Sequence, residues 1–175
     1  MTAYIALLRA VNVGGTGKLP MAELTRIGDE AGFAKVRTYI ASGNLLFDSD
    51  RDEAAVKAAL EARLETYAGK PVGVLVRTAA EMAAVAAANP FPDAAPNRVV
   101  AIFLDAAPPA DALDGVTGQR GEELGIGTRE IYVHYGDGMA DSKLRIAAAR
   151  DGTARNMNTI TRLAELALDA RNRRA

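Results

Sequence analysis

The chain has 175 residues, of which 49% are hydrophobic and 25% charged, and these are the proportions of a globular protein with one domain or two small ones. Lys and Arg total 21 against 22 for Asp and Glu, so the formal net charge is −1 and the overall field does not favour binding to nucleic acid or to a membrane surface. With no cysteine and one histidine, the chain cannot hold a Cys/His zinc site, a disulfide framework or a cysteine nucleophile. We therefore expect a cytoplasmic protein with no metal, no cofactor and no membrane partner.

The first half of the chain predicts two helices among four strands. The strands are expected at residues 3–11, 36–41, 45–48 and 72–76, and the helices at residues 21–31 and 52–66. Pro20 suits the first turn of the first helix, and Gly32 suits its C-terminal cap. The residues Ser42–Asn44 predict a tight hairpin turn, because Gly and Asn tolerate positive φ. The resulting order, β-α-β-β-α-β, is that of ferredoxin-like folds.

The second half repeats this pattern as β-α-β-β-α, after an alanine-rich helix at residues 79–88 and a proline-rich link. Its strands are expected at residues 98–104, 123–126 and 131–135, and its helices just after Pro109, at residues 142–150 and at residues 155–171. We therefore expect an α+β protein of two fused ferredoxin-like halves, residues 1–78 and residues 79–175, with C-terminal helices, together forming one compact domain.

Several motifs occur together in one order along the chain. They are the segments Arg9–Leu24, Val36–Phe47, Asn89–Phe91, Asp141–Leu144 and Thr153–Leu166. In these segments the chain resembles the bacterial DUF1697 family, a domain of unknown function. The resemblance implies an α+β fold of duplicated ferredoxin-like character, and it implies no established activity. The family usually has Trp where this chain has Met157, so a stacking contact with a ligand would be weakened here, whereas a packing role in the core would be preserved.

The glycine-rich loop at residues 12–18 is the first candidate site. A phosphate-binding loop of the strict type is excluded, because Asn12 stands where Gly is required and Leu19 follows Lys18 where Ser or Thr is required. Two interpretations are left, a simple turn between strand and helix, or a looser anion site made of Asn12, the amides of glycines such as Gly14, and Lys18.

Ser42 is a candidate nucleophile only if a general base lies nearby. The sole histidine, His134, is expected on a strand, and the residues around Ser42 do not match the nucleophile elbow of the hydrolases. A hairpin turn explains the motif more simply. Since no acid–base pair is evident elsewhere, the sequence favours binding over catalysis.

The last predicted helix carries a polar, basic face. Arg155, Asn158, Thr159 and Arg162 are spaced i, i+3, i+4 and i+7 along it, and its N-terminus would favour an anion. A solvated helix face explains the same spacing equally well. Lys143 follows a pair of helix-capping residues, and either it is solvated or it lies beside the ligand of the next helix.

Hydrogen-bond donors far outnumber carboxylates in these motifs, which suits a negatively charged ligand. We hypothesise that the first loop, the 42–44 hairpin and the start of the last helix form one cleft for a small molecule that carries phosphate or carboxylate. The candidate ligand-binding residues are Arg9, Asn12, Gly14, Lys18, Ser42, Asn44, Lys143, Arg155, Asn156, Asn158 and Thr159.

Two alternatives are kept. The first is a non-enzymatic interaction module, in which the motif residues hold the two halves together. The second is nucleic-acid binding through the basic C-terminal helix, which is disfavoured because aromatic residues make up only 5% of the chain and no RNA-binding aromatic motif is present.

Overall fold

The computed structural model describes residues 1–10 and 18–172, and it confirms an α+β fold with two four-stranded antiparallel sheets and helices. The strands are β1 (Thr2–Leu8), β2 (Ala34–Thr38), β3 (Asn44–Ser49), β4 (Val74–Thr78), β5 (Val99–Phe103), β6 (Glu123–Ile126), β7 (Glu130–His134) and β8 (Thr153–Asn156). The α-helices are α1 (Met21–Glu30), α2 (Glu53–Ala68), α3 (Ala79–Ala87) and α4 (Met157–Asn172). Short 3₁₀ helices occur at Pro96–Arg98, Gly136–Asp141 and Ala147–Ala149.

The chain divides into two compact units. The first contains Met1–Met82 and the chain from Leu163 onward, and the second contains Ala83–Arg162. None of the helices in the described ranges has both the length and the apolar character that crossing a bilayer requires.

The first unit has the sheet order β2-β3-β1-β4. Alternate residues of β1, such as Tyr4, Ala6 and Leu8, enter an apolar core together with Leu24 of α1 and Leu60 of α2. These side chains are almost entirely removed from water, and burial of this kind stabilises the fold by about 1.5–3 kcal/mol per large side chain.

Local signals determine where the two helices of the first unit begin and end. The Asp52 carboxylate accepts a hydrogen bond from the Ala55 N–H at 2.8 Å and so caps the start of α2. Gly69, with φ of 72°, ends the same helix in the left-handed conformation. Pro20 precedes α1 as its N-cap. The predicted helices therefore match the observed ones to within two residues.

The second unit has the sheet order β6-β7-β5-β8, which is the order of the first sheet when strands are counted within each unit. Its core lies on one face of the sheet, where Val100, Ile131 and Val133 pack with Leu104 and Ile146.

The structure corrects the sequence analysis at the C-terminal end of this unit. The predicted helix at 142–150 is absent apart from the 3₁₀ turn Ala147–Ala149. Instead, the Arg145 N–H donates to the Thr117 oxygen at 2.8 Å, and the Thr117 N–H donates to the Arg145 oxygen at 3.0 Å. This pairing satisfies backbone groups that a helix would have used internally, and it overrides the helix propensity of the alanines.

Two further predictions were wrong in this unit. The helix predicted from residue 155 begins at Met157, because Thr153–Asn156 form strand β8 and pair with β5. The segment after Pro109 is a series of turns and not a helix. Smaller shifts occur in the first unit, where β1 ends at Leu8 and β4 begins at Val74, two residues later than expected.

Candidate functional site

A cleft of about 300 Å³ in the first unit holds one of the predicted cations. Its described lining residues are Ala10, Lys18, Leu19, Leu64, Tyr67, Ala68, Lys70 and Val72. Leu19 and Leu64 are buried and form an apolar floor, while Tyr67 is 42% exposed. The described lining therefore combines an apolar surface with two ammonium groups and contains no carboxylate.

The local sequence explains why these side chains meet. Gly69 ends α2 in a left-handed conformation and turns the chain there. Lys70 therefore lies just beyond the last helical turn. Leu64 and Tyr67 are three residues apart on α2 and so lie on one side of that helix. Lys18 precedes the buried Leu19, which anchors the start of the segment leading into α1.

The two lysines of this cleft differ from Lys57 of α2, which lies near the start of β4. Neither the Lys18 nor the Lys70 ammonium group has a hydrogen-bond or ion-pair partner among residues 1–10 and 18–172. By contrast, the Lys57 ammonium lies 2.9 Å from the Glu61 carboxylate and also donates to the Val74 oxygen. The cleft thus has positive charge that the described protein groups leave uncompensated.

Arg9 lies next to this cleft in the chain. Its N–H donates to the Gly73 oxygen at 2.9 Å, and its Cδ is close enough to Gly73 that a Cβ there would lie 2.8 Å away. Gly73 therefore has to lack a side chain if the stem of Arg9 is to keep its place. Ala10, which follows and lines the cleft, has φ of 51°, a strained value for a residue with a Cβ.

Ser42 and Asn44 stabilise the turn that contains them. The Asn44 side-chain amide donates to the Tyr39 oxygen at 2.8 Å and to Ser42 Oγ at 3.0 Å, and Asn44 is fully buried. The turn adjoins the end of β1, because the Leu8 N–H donates to the Gly43 oxygen at 2.9 Å. Both amide hydrogens of Asn44 are thus used within the turn.

Lys143 lines a different cleft, of about 370 Å³, in the second unit. A carboxylate organises this cleft, since Glu122 accepts hydrogen bonds from the Arg120 N–H and from Ser142 Oγ, the latter at 2.8 Å. These two hydrogen bonds lower the pKa of the Glu122 carboxyl below its ordinary value. The hydrogen bond from its hydroxyl to this carboxylate fixes the orientation of the Ser142 side chain.

Arg155 is not on the face of a helix. It lies in β8 opposite Ala101, is 7% exposed, and donates to Thr153 Oγ1 at 2.8 Å and to the Ala154 oxygen at 2.9 Å. Burial lowers the pKa of its guanidinium to about 10, which leaves it charged at neutral pH. Its described hydrogen bonds hold it within the second unit.

The start of α4 is capped by the protein itself. Asn156 Oδ1 accepts a hydrogen bond from the Thr159 N–H at 2.9 Å, so one of the free helical donors expected to bind an anion already has a partner. Thr159 and Met157 are buried, whereas Asn158 and Arg162 are exposed. At 4% exposure, Met157 has the surroundings of a core residue.

The Asn89–Phe91 motif and the histidine also make local contacts. The Phe91 N–H donates to Asn89 Oδ1 at 2.9 Å, and the Phe91 ring lies 5.7 Å from the His134 ring. His134 Nδ1 is 2.9 Å from Glu123 Oε1, so the imidazole is paired with a carboxylate on the neighbouring strand. Among the described residues no group of three or more His, Asp and Glu side chains could hold a metal ion.

The predicted site residues are thus divided between the two units. Arg9, Lys18, Ser42 and Asn44 belong to the first, and Lys143, Arg155, Asn156, Asn158 and Thr159 to the second. Asn12 and Gly14 lie outside the described residues. Tyr67, Lys70 and Glu122 line the two clefts and are not among the residues predicted from the sequence. Gly69 is a local signal that the chain turns just before Lys70, but no spacing in the sequence shows that this turn lies near Lys18.

These features define a protein of two four-stranded antiparallel sheets, α+β in class, whose first unit has a cationic cleft with an apolar floor. The chain belongs to the family described as "Protein of unknown function (DUF1697)", whose model matches residues 1–132. It is also similar in fold to the conserved bacterial protein SP0830 from Streptococcus pneumoniae. That similarity has 22% sequence identity and a TM-score of 0.76, and it covers 95% of this chain and 98% of the other. None of the curated proteins matches the chain.

Proposed function

We propose that this protein binds an anionic small molecule, carrying phosphate or carboxylate, in the cleft of the first unit. The observation that carries the proposal is the presence of Lys18 and Lys70 on one cleft, each without a partner among the described residues. Two ammonium groups on one cleft repel each other, and an anion between them converts that repulsion into two charge-assisted hydrogen bonds.

The two lysines contribute unequally in this proposal. Lys70 follows the C-terminus of α2, where the helix carries a partial negative charge that offsets part of the charge of a nearby cation. Lys18 lies outside the helix, in the segment that leads into α1, and we assign it the larger share of the attraction. The volume of about 300 Å³ is at the lower end for small-molecule sites.

The proposed site contains fewer residues than the cleft predicted from the sequence. Asn44, Arg155 and Asn156 are engaged in hydrogen bonds within their own units, and we assign them to stabilising the fold. Lys143 is exposed on the cleft of the second unit and serves as a matched control for Lys18.

The test is a titration of the full chain with inorganic phosphate, phenyl phosphate and benzoate, followed by heteronuclear NMR and thermal unfolding. Bound anion at ten times its dissociation constant should stabilise the fold by about 1.4 kcal/mol. Lys18→Ala should weaken binding about tenfold, as expected for one charge-assisted hydrogen bond, while Lys143→Ala should leave it unchanged.

Two results would contradict the proposal. If none of the three anions binds at millimolar concentration, the first unit has no such site and the interaction module becomes the better interpretation. If Lys143→Ala weakens binding as much as Lys18→Ala does, the ligand is not confined to the first cleft.

For the fold, we propose that the first unit is ferredoxin-like. The order β2-β3-β1-β4, with α1 between β1 and β2 and α2 between β3 and β4, supports this assignment. The second sheet has the corresponding order and supports a related origin for the second unit, although turns and 3₁₀ helices connect its described strands.

A further inference from the structure

We propose that the anion bound in the first cleft carries an aromatic ring, and that this ring packs against Tyr67. The inference rests on the proposed function and adds the chemical class of the ligand. It is based on the uncharged part of the cleft lining, namely the apolar surface and the exposed tyrosine.

The described lining is mainly apolar. Beside the two lysines and Tyr67 it consists of alanine, leucine and valine side chains. A bare inorganic anion would contact the ammonium groups but would leave the accessible part of this surface, at Ala10, Ala68 and Val72, in water. A ligand with an apolar body removes that surface from water, which is the favourable part of binding in most small-molecule sites.

Tyr67 gives the cleft a flat, accessible wall. It lies on the last turn of α2, and Leu64, one turn earlier on the same side, is 1% exposed and forms the floor beneath it. Tyr67 is 42% exposed, and its hydroxyl has no partner within the described part of the chain. An exposed aromatic ring above an apolar floor favours a planar group, because two rings gain attraction in an offset stack.

The positions of the charges fit the same class of ligand. Lys18 and Lys70 line the cleft together with Tyr67, so a ligand could place its ring on the tyrosine and its anionic group at the lysines. Aryl phosphates, aromatic carboxylates and nucleoside monophosphates all have this chemistry. The titration includes one member of each so that the sources can be distinguished.

The experiment compares phosphates that differ only in their apolar part. Inorganic phosphate, n-butyl phosphate, phenyl phosphate and adenosine 5′-monophosphate are titrated into the full chain by calorimetry, with benzoate as the carboxylate. Phenyl phosphate should bind about tenfold more tightly than inorganic phosphate, within the range measured for stacking on an aromatic side chain. It should also bind more tightly than n-butyl phosphate.

Substitutions at Tyr67 test the wall itself. Tyr67→Phe should keep the preference for phenyl phosphate, whereas Tyr67→Leu should reduce it to the level of n-butyl phosphate while inorganic phosphate is bound as before. Because Tyr67 is exposed, neither variant removes a core side chain, and thermal unfolding checks that both fold.

The outcomes separate this inference from the proposed function. If all the phosphates bind equally and Lys18→Ala weakens them all, the anion site stands and the aromatic class is wrong. If n-butyl phosphate matches phenyl phosphate, the ligand is selected for apolar bulk and the inference is again overturned. If nothing binds, both fail.

Discussion

At the scale of single residues, several buried polar groups stabilise the fold rather than contact a ligand. Glu122 is 6% exposed and joins two segments of the second unit, because its carboxylate accepts from the Arg120 N–H and from Ser142 Oγ. Asn44 and Arg155 likewise donate to neighbouring backbone oxygens. Polar residue types in a family motif therefore do not by themselves indicate a binding site.

Glu122 makes the stability of the second unit depend on pH. The pKa of its carboxyl is lowered in the folded protein, so its contribution is present above the ordinary value of 4.5 and is lost as the pH falls through the folded value. Glu122→Gln should therefore lower the melting temperature at pH 7, and the gap to the unaltered protein should narrow below about pH 4.5. Thermal unfolding of both proteins between pH 7 and pH 3 measures this gap.

Glu123→Gln is the matched control, since Glu123 is exposed and pairs with His134. Its effect should be the smaller of the two at pH 7. A gap for Glu122→Gln that stays constant over the whole pH range would refute the assignment of Glu122 as an ionised anchor.

At the scale of elements, the junction between β8 and α4 determines what the C-terminal motif does. Asn156 ends the strand and caps the helix, so Arg155 lies in the sheet while Asn158 begins the exposed side of α4. A shift of two residues in the start of the helix therefore changes Arg155 from a surface cation into a buried one.

The cap can be measured against its neighbour. Asn156→Ala should lower the free energy of unfolding by about 1 kcal/mol, because it leaves the Thr159 N–H without its partner. Asn158→Ala changes an exposed residue of the same type two positions later and should have an effect within about 0.5 kcal/mol of zero. Urea unfolding measures the free energy of unfolding of both variants. If the two variants lose the same amount, Asn156 is not the cap.

The sequence predicted those elements whose boundaries are marked by local chemistry. Asp52 and Gly69 mark α2, and Gly43, with φ of 85°, marks the turn between β2 and β3. Strand β8 was missed because Thr153–Asn156 has no alternation of apolar and polar residues, and its existence depends on pairing with the distant β5. The same reason applies to the helix predicted at residues 142–150, because Arg145 within it pairs with the distant Thr117.

The candidate site was predictable only in part, for a similar reason. Lys18 could be selected because it follows a glycine-rich loop, whereas Tyr67 and Lys70 become relevant only when the end of α2 and the segment after the loop are near each other. No spacing in the sequence reports that proximity. Glu122 was missed because its partner Ser142 is 20 positions away.

At the scale of the whole molecule, the net charge gives no reason to expect a strongly cationic surface. The formal net charge is −1, and of the two arginines that the C-terminal hypothesis used, Arg155 is buried and Arg162 is exposed. Each sheet also has its own apolar core, one built around Leu24 and Leu60 and the other around Val100 and Val133.

Nucleic-acid binding is therefore expected to be weak and insensitive to sequence. The full chain should not retard a DNA duplex or a single-stranded RNA in a gel at 150 mM salt, because the formal net charge is −1 and Arg155, one of the two arginines of that hypothesis, is buried. Titration at 50 and 200 mM salt measures this directly. An affinity that falls steeply with salt and is weakened by Arg162→Ala would instead support the basic helix as a nucleic-acid interface.

The exposed position of Tyr67 has a practical consequence, because the chain contains five tyrosines and no tryptophan. Tyr67→Trp would introduce the sole indole of the molecule, at the wall of the cleft. Its fluorescence could be excited selectively and would report on this one location, so that occupancy, quenching and the rate of ligand arrival could be followed in stopped flow without any attached dye.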